Sequence, residues 1–288
     1  MLPIKHILAP VDFSERSEAA AVDAAGLSEL FGAKLTLLHV APTIQTPQTY
    51  RSPAQIERSE KTQLESSHLL ETQLKALAAR ITPDALSVVA EGDPAACIEK
   101  YVQVHDVDLL VMATHGLGVF RRYLLGSLAA KMLHDLDIPI ATGPHLETES
   151  AFPADFTNIG CAVDLRDKED AERILRWSSE LAELVGAKLT LIHVPHNVDY
   201  GQLFAAQARD AVLDRAAQDI AGLLEKIGLE AEVVIECGDP MKTVAKHLER
   251  KECDALIIGR TSHKSAFYVG HADGYALIRQ VAVPVFSV

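Results

Sequence analysis

The sequence predicts an α/β protein made of two tandem doubly wound domains, each with a parallel sheet. The first observation behind this is that the chain repeats itself. Gly32-Ala-Lys-Leu-Thr-Leu-Leu-His39-Val40 returns as Gly186-Ala-Lys-Leu-Thr-Leu-Ile-His193-Val194, and Ala9-Pro-Val-Asp12 is echoed by Cys161-Ala-Val-Asp164. Gly92-Asp-Pro94 returns as Gly238-Asp-Pro240, Asp108-Leu-Leu-Val-Met-Ala113 as Asp254-Ala-Leu-Ile-Ile-Gly259, and Ile138-Pro-Ile140 as Val283-Pro-Val285. Matches that keep their order mark a tandem duplication. The second observation is that short apolar runs alternate with helical periodicity inside each copy, which implies right-handed crossovers and a parallel sheet. The third is size: 288 residues, 48% apolar and 23% charged, give each copy enough apolar side chain for its own core.

Taken in order, residues 4–10 read as the first strand. Ser14 stands where a helix cap belongs, and Glu15 and Glu18 place negative charge in the first turn, where it suits the dipole. Residues 34–40 form the second strand, followed by a polar loop over 43–53. A long amphipathic helix covers 53–81, with Leu64, Leu69, Leu70, Leu74 and Leu77 on its apolar side. A strand at 86–90 leads to a helix opened by Asp93-Pro94, proline being tolerated at a first helical position. The strand 109–113, a helix from Ser127 and a strand at 139–143 complete the copy. The segment 143–155 is polar with two prolines and reads as a linker, so the domains are expected at 1–145 and 155–288.

Several function classes are excluded by composition. The net charge is −13, divided as −5 for residues 1–146 and −8 for 147–288, which argues against a nucleic-acid partner. No apolar run approaches the ~20 residues of a membrane span. The first residues are too short and too strand-like for a signal peptide. Cys97, Cys161, Cys237 and Cys253 form no Cys-x-x-Cys pair, which fits a reducing cytoplasm better than a disulfide framework or a zinc site. His39 and His193 occupy matching strand positions among apolar neighbours and read as packing residues. No Ser-His-Asp, Gly-x-Ser-x-Gly or His-Glu-x-x-His arrangement offers a nucleophile or a catalytic metal site.

The most specific stretch follows the fourth strand, from Ala113-Thr-His-Gly116 to Gly126-Ser127-Leu128. A small-residue turn after a strand, then Gly-Ser opening a helix, is a place to hold phosphate. Glycine lets the backbone approach the anion, and the first N–H groups of the helix point at it. There is no Walker lysine and no third glycine of a dinucleotide fingerprint. Alone, Gly126-Ser127 also reads as a plain helix start, and Asp12 as a turn carboxylate.

In order and at this spacing, the residues resemble the universal stress protein family over both copies. The nucleotide-binding branch carries Gly, two residues, Gly, nine residues, then Gly-Ser or Gly-Thr. Gly116, Gly126 and Ser127 fit, and Ala113 stands at the first glycine. Pro10-Val-Asp12-Phe-Ser14 matches the end of the family's first strand, Leu37-Leu-His39-Val40 its second, and Gly92-Asp-Pro94 the turn after the third. The resemblance implies an adenine nucleotide α-hydrolase-like, Rossmann-like fold. It implies an ATP site that includes Pro10, Val11, Asp12 and Val40, with Asp12 and the backbone of Val40 meeting the adenine. Met112, Ala113, His115, Gly116, Gly126, Ser127 and Leu128 would hold ribose and phosphates, with Mg2+ accompanying the phosphates. Arg121 and Arg122 lie within the loop, where one can neutralise phosphate charge. It further implies pairing of the last strands, near 138–142 and 283–287, as an intramolecular pseudodimer able to dimerise again.

The second copy departs from that pattern. Gly259-Arg-Thr-Ser262 keeps the first glycine and replaces the second, and nine residues beyond Ser262 stands Ala272-Asp273 rather than Gly-Ser. The expected function is therefore a cytoplasmic stress-response protein that binds an adenine nucleotide in its first domain and signals by occupancy to a regulatory partner. Slow ATP hydrolysis with His115, and a nucleotide-free interaction module, are the alternatives.

Overall fold

A computed structural model of the chain describes residues 4–42, 53–114, 126–143, 152–153, 155–195, 205–260 and 277–288. The first half runs β1 (His6–Pro10), α1 (Glu15–Phe31), β2 (Lys34–Ala41), α2 (Pro53–Ile81), β3 (Leu86–Glu91), α3 (Pro94–Val104), β4 (Leu109–Ala113), α4 (Ser127–Asp135) and β5 (Ile140–Gly143). The second runs β6 (Asn158–Ala162), α5 (Lys168–Val185), β7 (Lys188–His193), α6 (Ala205–Ile227), β8 (Glu232–Ile235), α7 (Pro240–Arg250), β9 (Ala255–Ile258) and β10 (Val285–Ser287).

The strands make one sheet in the order β3-β2-β1-β4-β5-β10-β9-β6-β7-β8. Neighbours are parallel within each half. The halves meet through the antiparallel pair β5–β10, with Val285 opposite Thr142, Phe286 opposite Ala141 and Ser287 opposite Ile140. Because Ile140, Ala141 and Thr142 correspond to Val285, Phe286 and Ser287 in the repeat, this register is that of a pseudo-twofold axis through the Ala141–Phe286 pair. Each half thus covers the other's sheet edge.

Duplication lets that axis be asymmetric. Two identical chains would place the same residue twice at the centre; here one side is alanine and the other phenylalanine. The fully buried Phe286 ring lies 5.4 Å from Trp177 and 5.4 Å, edge-on, from Phe152 of the linker. Counted from the helix-ending Gly32 and Gly186, Trp177 occupies the place of Asp23. The buried Asp23 Oδ1 accepts the Phe152 N–H at 3.2 Å. The linker is therefore fastened to one half by an amide and to the other by a ring.

The repeated sequences explain repeated local structure. Gly32 and Gly186 end α1 and α5 with φ of 63° and 70°, a left-handed conformation that glycine adopts without Cβ strain. His39 and His193 are buried, and each Nδ1 lies 2.8 Å from a carbonyl after the adjacent strand, Val11 O and Val163 O. This is the shared structural role expected of them. Cys161 and Cys253 are buried, and burial pushes their thiols up to about 12 and about 11.

One expectation needs correcting. On α2, Leu74 and Leu77 are buried and Leu70 is half-buried, but Leu64 and Leu69 are 60% and 59% exposed. Leu70, Leu74 and Leu77 follow one another at the i, i+4, i+7 spacing of one helix face, whereas Leu64 and Leu69 stand roughly 110° around the helix from that face. Apolar side chains off the packed face stay in solvent.

Candidate functional site

The strand order reverses between β1 and β4: β2 and β3 lie to one side, β5 to the other. In doubly wound sheets ligands bind beyond the carboxyl ends of the strands at that point. The register brings the predicted residues there. Pro10 pairs with Leu38 and Leu8 with Leu110, so continuing both ladders sets Asp12 level with Val40 and Thr114. Strands lie roughly 5 Å apart, so these three positions span a surface of about 10 Å. Val11 and Met112 are buried beneath it, Pro10, Val40 and Ala113 are half-buried, and Asp12 is exposed.

Asp12 is held by the start of α1. Its Oδ1 accepts the Ser14 N–H at 3.0 Å and the Ser14 hydroxyl at 2.5 Å, while its own N–H donates to Ser17 Oγ at 3.2 Å. The intervening Phe13 takes φ 60°, a left-handed conformation costing a bulky residue about 1–2 kcal/mol, with its ring packed 4.6 Å from His39. Burial opposes the charge on Asp12, but the hydrogen bonds from Ser14 and Ser17 prevail and hold its carboxyl below the ordinary value. The cap of α1 is Ser14, whose oxygen accepts from the Ser17 N–H at 3.2 Å. Asp12 therefore supports the cap without being it, and is ionised at neutral pH.

The helix after β4 starts differently from its neighbours. Side chains cap α1, α3, α5 and α7 through Ser14, Asp93, Asp167 and Asp239. Helix α4 begins at Gly126 with no side-chain cap among the described residues, and Ser127 is exposed there. The Gly126 N–H donates to Thr114 O at 2.8 Å, which ties the start of α4 to the end of β4. Gly126 has φ −59°, which any residue can adopt, and it brings no side chain of its own to cap the first helical amides. Half-buried Leu128 packs into the core beneath. His115, Gly116, Arg121 and Arg122 lie outside the described residues.

Ala113 can now be judged on structure. The described non-glycine residues with positive φ are Phe13, Asp106 and Glu252, so Ala113 is ordinary strand backbone and free of that strain. Its counterpart Gly259 shows which way a methyl there points. A Cβ on Gly259 would lie 2.2 Å from Ile174 Cδ1 and 2.9 Å from Asp170 Oδ2, both on α5. Ile174 corresponds to the buried Ala20 of α1. The first half combines alanine with alanine where the second combines glycine with isoleucine, so glycine at 259 answers to the helix packed against it.

Elsewhere the second half diverges at the same strand ends. Asp164 keeps its place, but Arg166 stands where Ser14 does. Its Nε donates to Asp164 Oδ2 at 2.7 Å, its Nη2 reaches the same oxygen, and its N–H donates to Asp164 Oδ1 at 3.0 Å. The cap of α5 has moved to Asp167. The serine that buttresses the carboxylate in one half is thus replaced in the other by a cation paired with it.

Two stretches of the chain, residues 3–142 and 155–285, match the Universal stress protein family, and the chain belongs to that family. A universal stress protein of Thermus aquaticus is 29% identical over 136 residues, 47% of this chain and 96% of that protein. A crystal structure of a universal stress protein from Archaeoglobus fulgidus superposes over 100% of this chain and 97% of its own, with a TM-score of 0.68 at 22% identity. A functionally unknown protein from Pseudomonas aeruginosa does so over 100% and 93%, with a TM-score of 0.63 at 15% identity. These two likenesses are of fold, and they extend over both halves.

The structure brings Pro10, Val11, Asp12, Val40, Met112, Ala113, Gly126, Ser127 and Leu128 to one end of one half-sheet. Sequence reasoning missed the partners of the two aspartates. Ser14 was legible as a cap but not as a hydrogen-bond donor to Asp12, and Arg166 gave no signal because it breaks the repeat. Among the described residues no helix is long and apolar enough to cross a membrane.

Proposed function

We propose that the first half, taken as a domain over 1–145, binds ATP or a closely related adenine nucleotide across the ends of β1, β2 and β4. Occupancy then serves as a signal in the cytoplasm. The domain over 155–288 acts as its structural or sensory partner. The single observation that carries this reading is α4, whose amino end stands at the switch point without a side-chain cap among the described residues, while α1, α3, α5 and α7 are closed by their own side chains. A helix amino end of that kind favours phosphate. On the adenine side, the anchored carboxylate of Asp12 can accept a hydrogen bond from the exocyclic amine, with Val40 offering backbone groups beside it.

The donor set bears on magnesium. Among the described residues no three His, Cys, Asp or Glu side chains gather to hold a cation. Mg2+ keeps several waters and commonly binds through substrate phosphates, so it would arrive with the triphosphate, and the Ser127 hydroxyl is the described side chain placed to meet it. The test is to denature the purified protein and identify any adenylate released, then repeat with Gly126→Val. An adenylate present in the wild type and lost in the variant is expected. Adenylate retained by the variant would overturn the site.

A further inference from the structure

Thr114 and Arg260 occupy equivalent places in the repeat, one residue beyond the end of β4 and two beyond the end of β9, yet both hold α4. Thr114 does so from within the first half, its carbonyl accepting the Gly126 N–H. Arg260 does so across the pseudo-twofold axis. Its Nη1 donates to Leu136 O at 2.7 Å and to Leu133 O at 3.3 Å, and its Nη2 donates to Ile138 O. These carbonyls lie at and just beyond the carboxyl end of α4, where Leu136 is the capping residue. The last carbonyls of a helix lack partners within it, and a cation there also complements the dipole.

The base of this arm is fixed. The Arg260 N–H donates to Val288 O at 2.7 Å and the Val288 N–H to Ile258 O at 2.9 Å, which continues the β9–β10 pairing to the root of the side chain. Helix α4 is short, nine residues and about 13 Å. It is seated on the core by Ala129, Met132 and Leu133. A displacement at its carboxyl end is therefore carried to Gly126 and Ser127 with little room for loss. The helix that presents the phosphate-facing amides is held at one end by its own half and at the other by the second.

We propose that Arg260 is a positioning residue for the nucleotide site of the first half. Through this one side chain the second half adjusts nucleotide affinity in the first. This rests on the reading of the first half as the nucleotide site. Whatever moves the root of Arg260 alters the grip on phosphate about 13 Å away, roughly one helix length. By linkage, nucleotide binding must in turn tighten the Arg260 contacts.

The experiment compares wild type, Arg260→Ala, Arg260→Lys and Arg176→Ala. Arg176 is a control, since its guanidinium pairs with Glu172 on its own helix, away from the root of Arg260 and from α4. ATP affinity with magnesium is measured by calorimetry, and hydrogen exchange of the amides 130–136 is followed without nucleotide. Arg260→Ala is expected to weaken ATP by about fivefold or more, the lower end of site-to-site coupling, and to speed exchange in α4 while residues 4–10 stay protected. Lysine should restore part of both effects, and Arg176→Ala should leave both unchanged. Wild-type binding with undiminished affinity in Arg260→Ala overturns the positioning role alone. A wild type that binds no ATP overturns the reading of the site and this role with it. If Arg260→Ala fails to fold, the lysine variant decides: wild-type affinity and wild-type α4 exchange together would overturn the proposal.

Discussion

The two halves share an order of elements, a register and a set of glycine and histidine structural positions, yet they differ where their strands end. In the first, Asp12 is anchored by neutral hydroxyl and amide donors and α4 starts without a side-chain cap among the described residues. In the second, Asp164 is paired with the cation of Arg166. The difference teaches that duplication fixes what the fold needs in both copies and frees the rest. Gly32 and Gly186, His39 and His193 end helices or tie a strand to its neighbour and so remain paired. Asp12 and Asp164 remain the same residue in different electrostatic company, and the axis itself has become unequal.

That inequality is where the comparison breaks most easily. Phe286→Ala removes the large member of the central pair and should cost about 3–5 kcal/mol, as for other buried aromatic truncations. Urea unfolding measures it, and a loss below about 1 kcal/mol would mean the axis is not held by this ring.

The next comparison is between the two motif positions. Gly259→Ala drives a methyl into Ile174 and should destabilise by about 1–3 kcal/mol, the usual cost of overpacking. Ala113→Gly should cost about 1 kcal/mol or less and leave ATP affinity within about twofold, because the methyl faces α1. Thermal unfolding and titration of the two variants report this; a large gain in ATP affinity from Ala113→Gly would show that the methyl faces the ligand.

The smallest effect concerns pH. Lys246 above all, then His247, holds the Glu236 carboxyl down from 4.5 to about 2, with Lys246 Nζ at 2.6 Å and His247 Nε2 at 2.6 Å. A lowered carboxylate stabilises the folded state above its ordinary value and loses that contribution as pH falls through the lowered one. Stability curves of wild type and Glu236→Gln should therefore differ most above pH 4.5 and converge towards pH 2. Because the side chains of Glu236 and Lys246 are 33% and 44% exposed, salt should shrink the difference. Equal curves at all pH values would remove the cluster from the stability of this half.

Most of the fold was legible because periodic elements and an internal repeat state the same thing twice. The bounds of α2 and β4 follow the sequence pattern residue for residue, and the pairing of the last strands is what the family resemblance implies for a duplicated chain. What was not legible depends on which faces are covered and on contacts between elements. The exposure of Leu64 and Leu69 follows from which face of α2 meets its neighbours. The direction of the Ala113 methyl is set by α1, and a reading of the motif alone leaves open a strain that the strand backbone does not have. Arg166 and Arg260 are single residues that break the repeat, so a method that looks for sameness passes over them. The aspartates and the glycine-serine step were legible as positions; their opposite settings needed side chains in space.

The most direct test of one nucleotide site in one half is calorimetric titration of wild type, Asp12→Ala and Asp164→Ala with ATP and magnesium. A single equivalent per chain, abolished by Asp12→Ala and retained by Asp164→Ala, is the predicted result. Two equivalents, or a single one that survives Asp12→Ala and disappears with Asp164→Ala, would contradict the account.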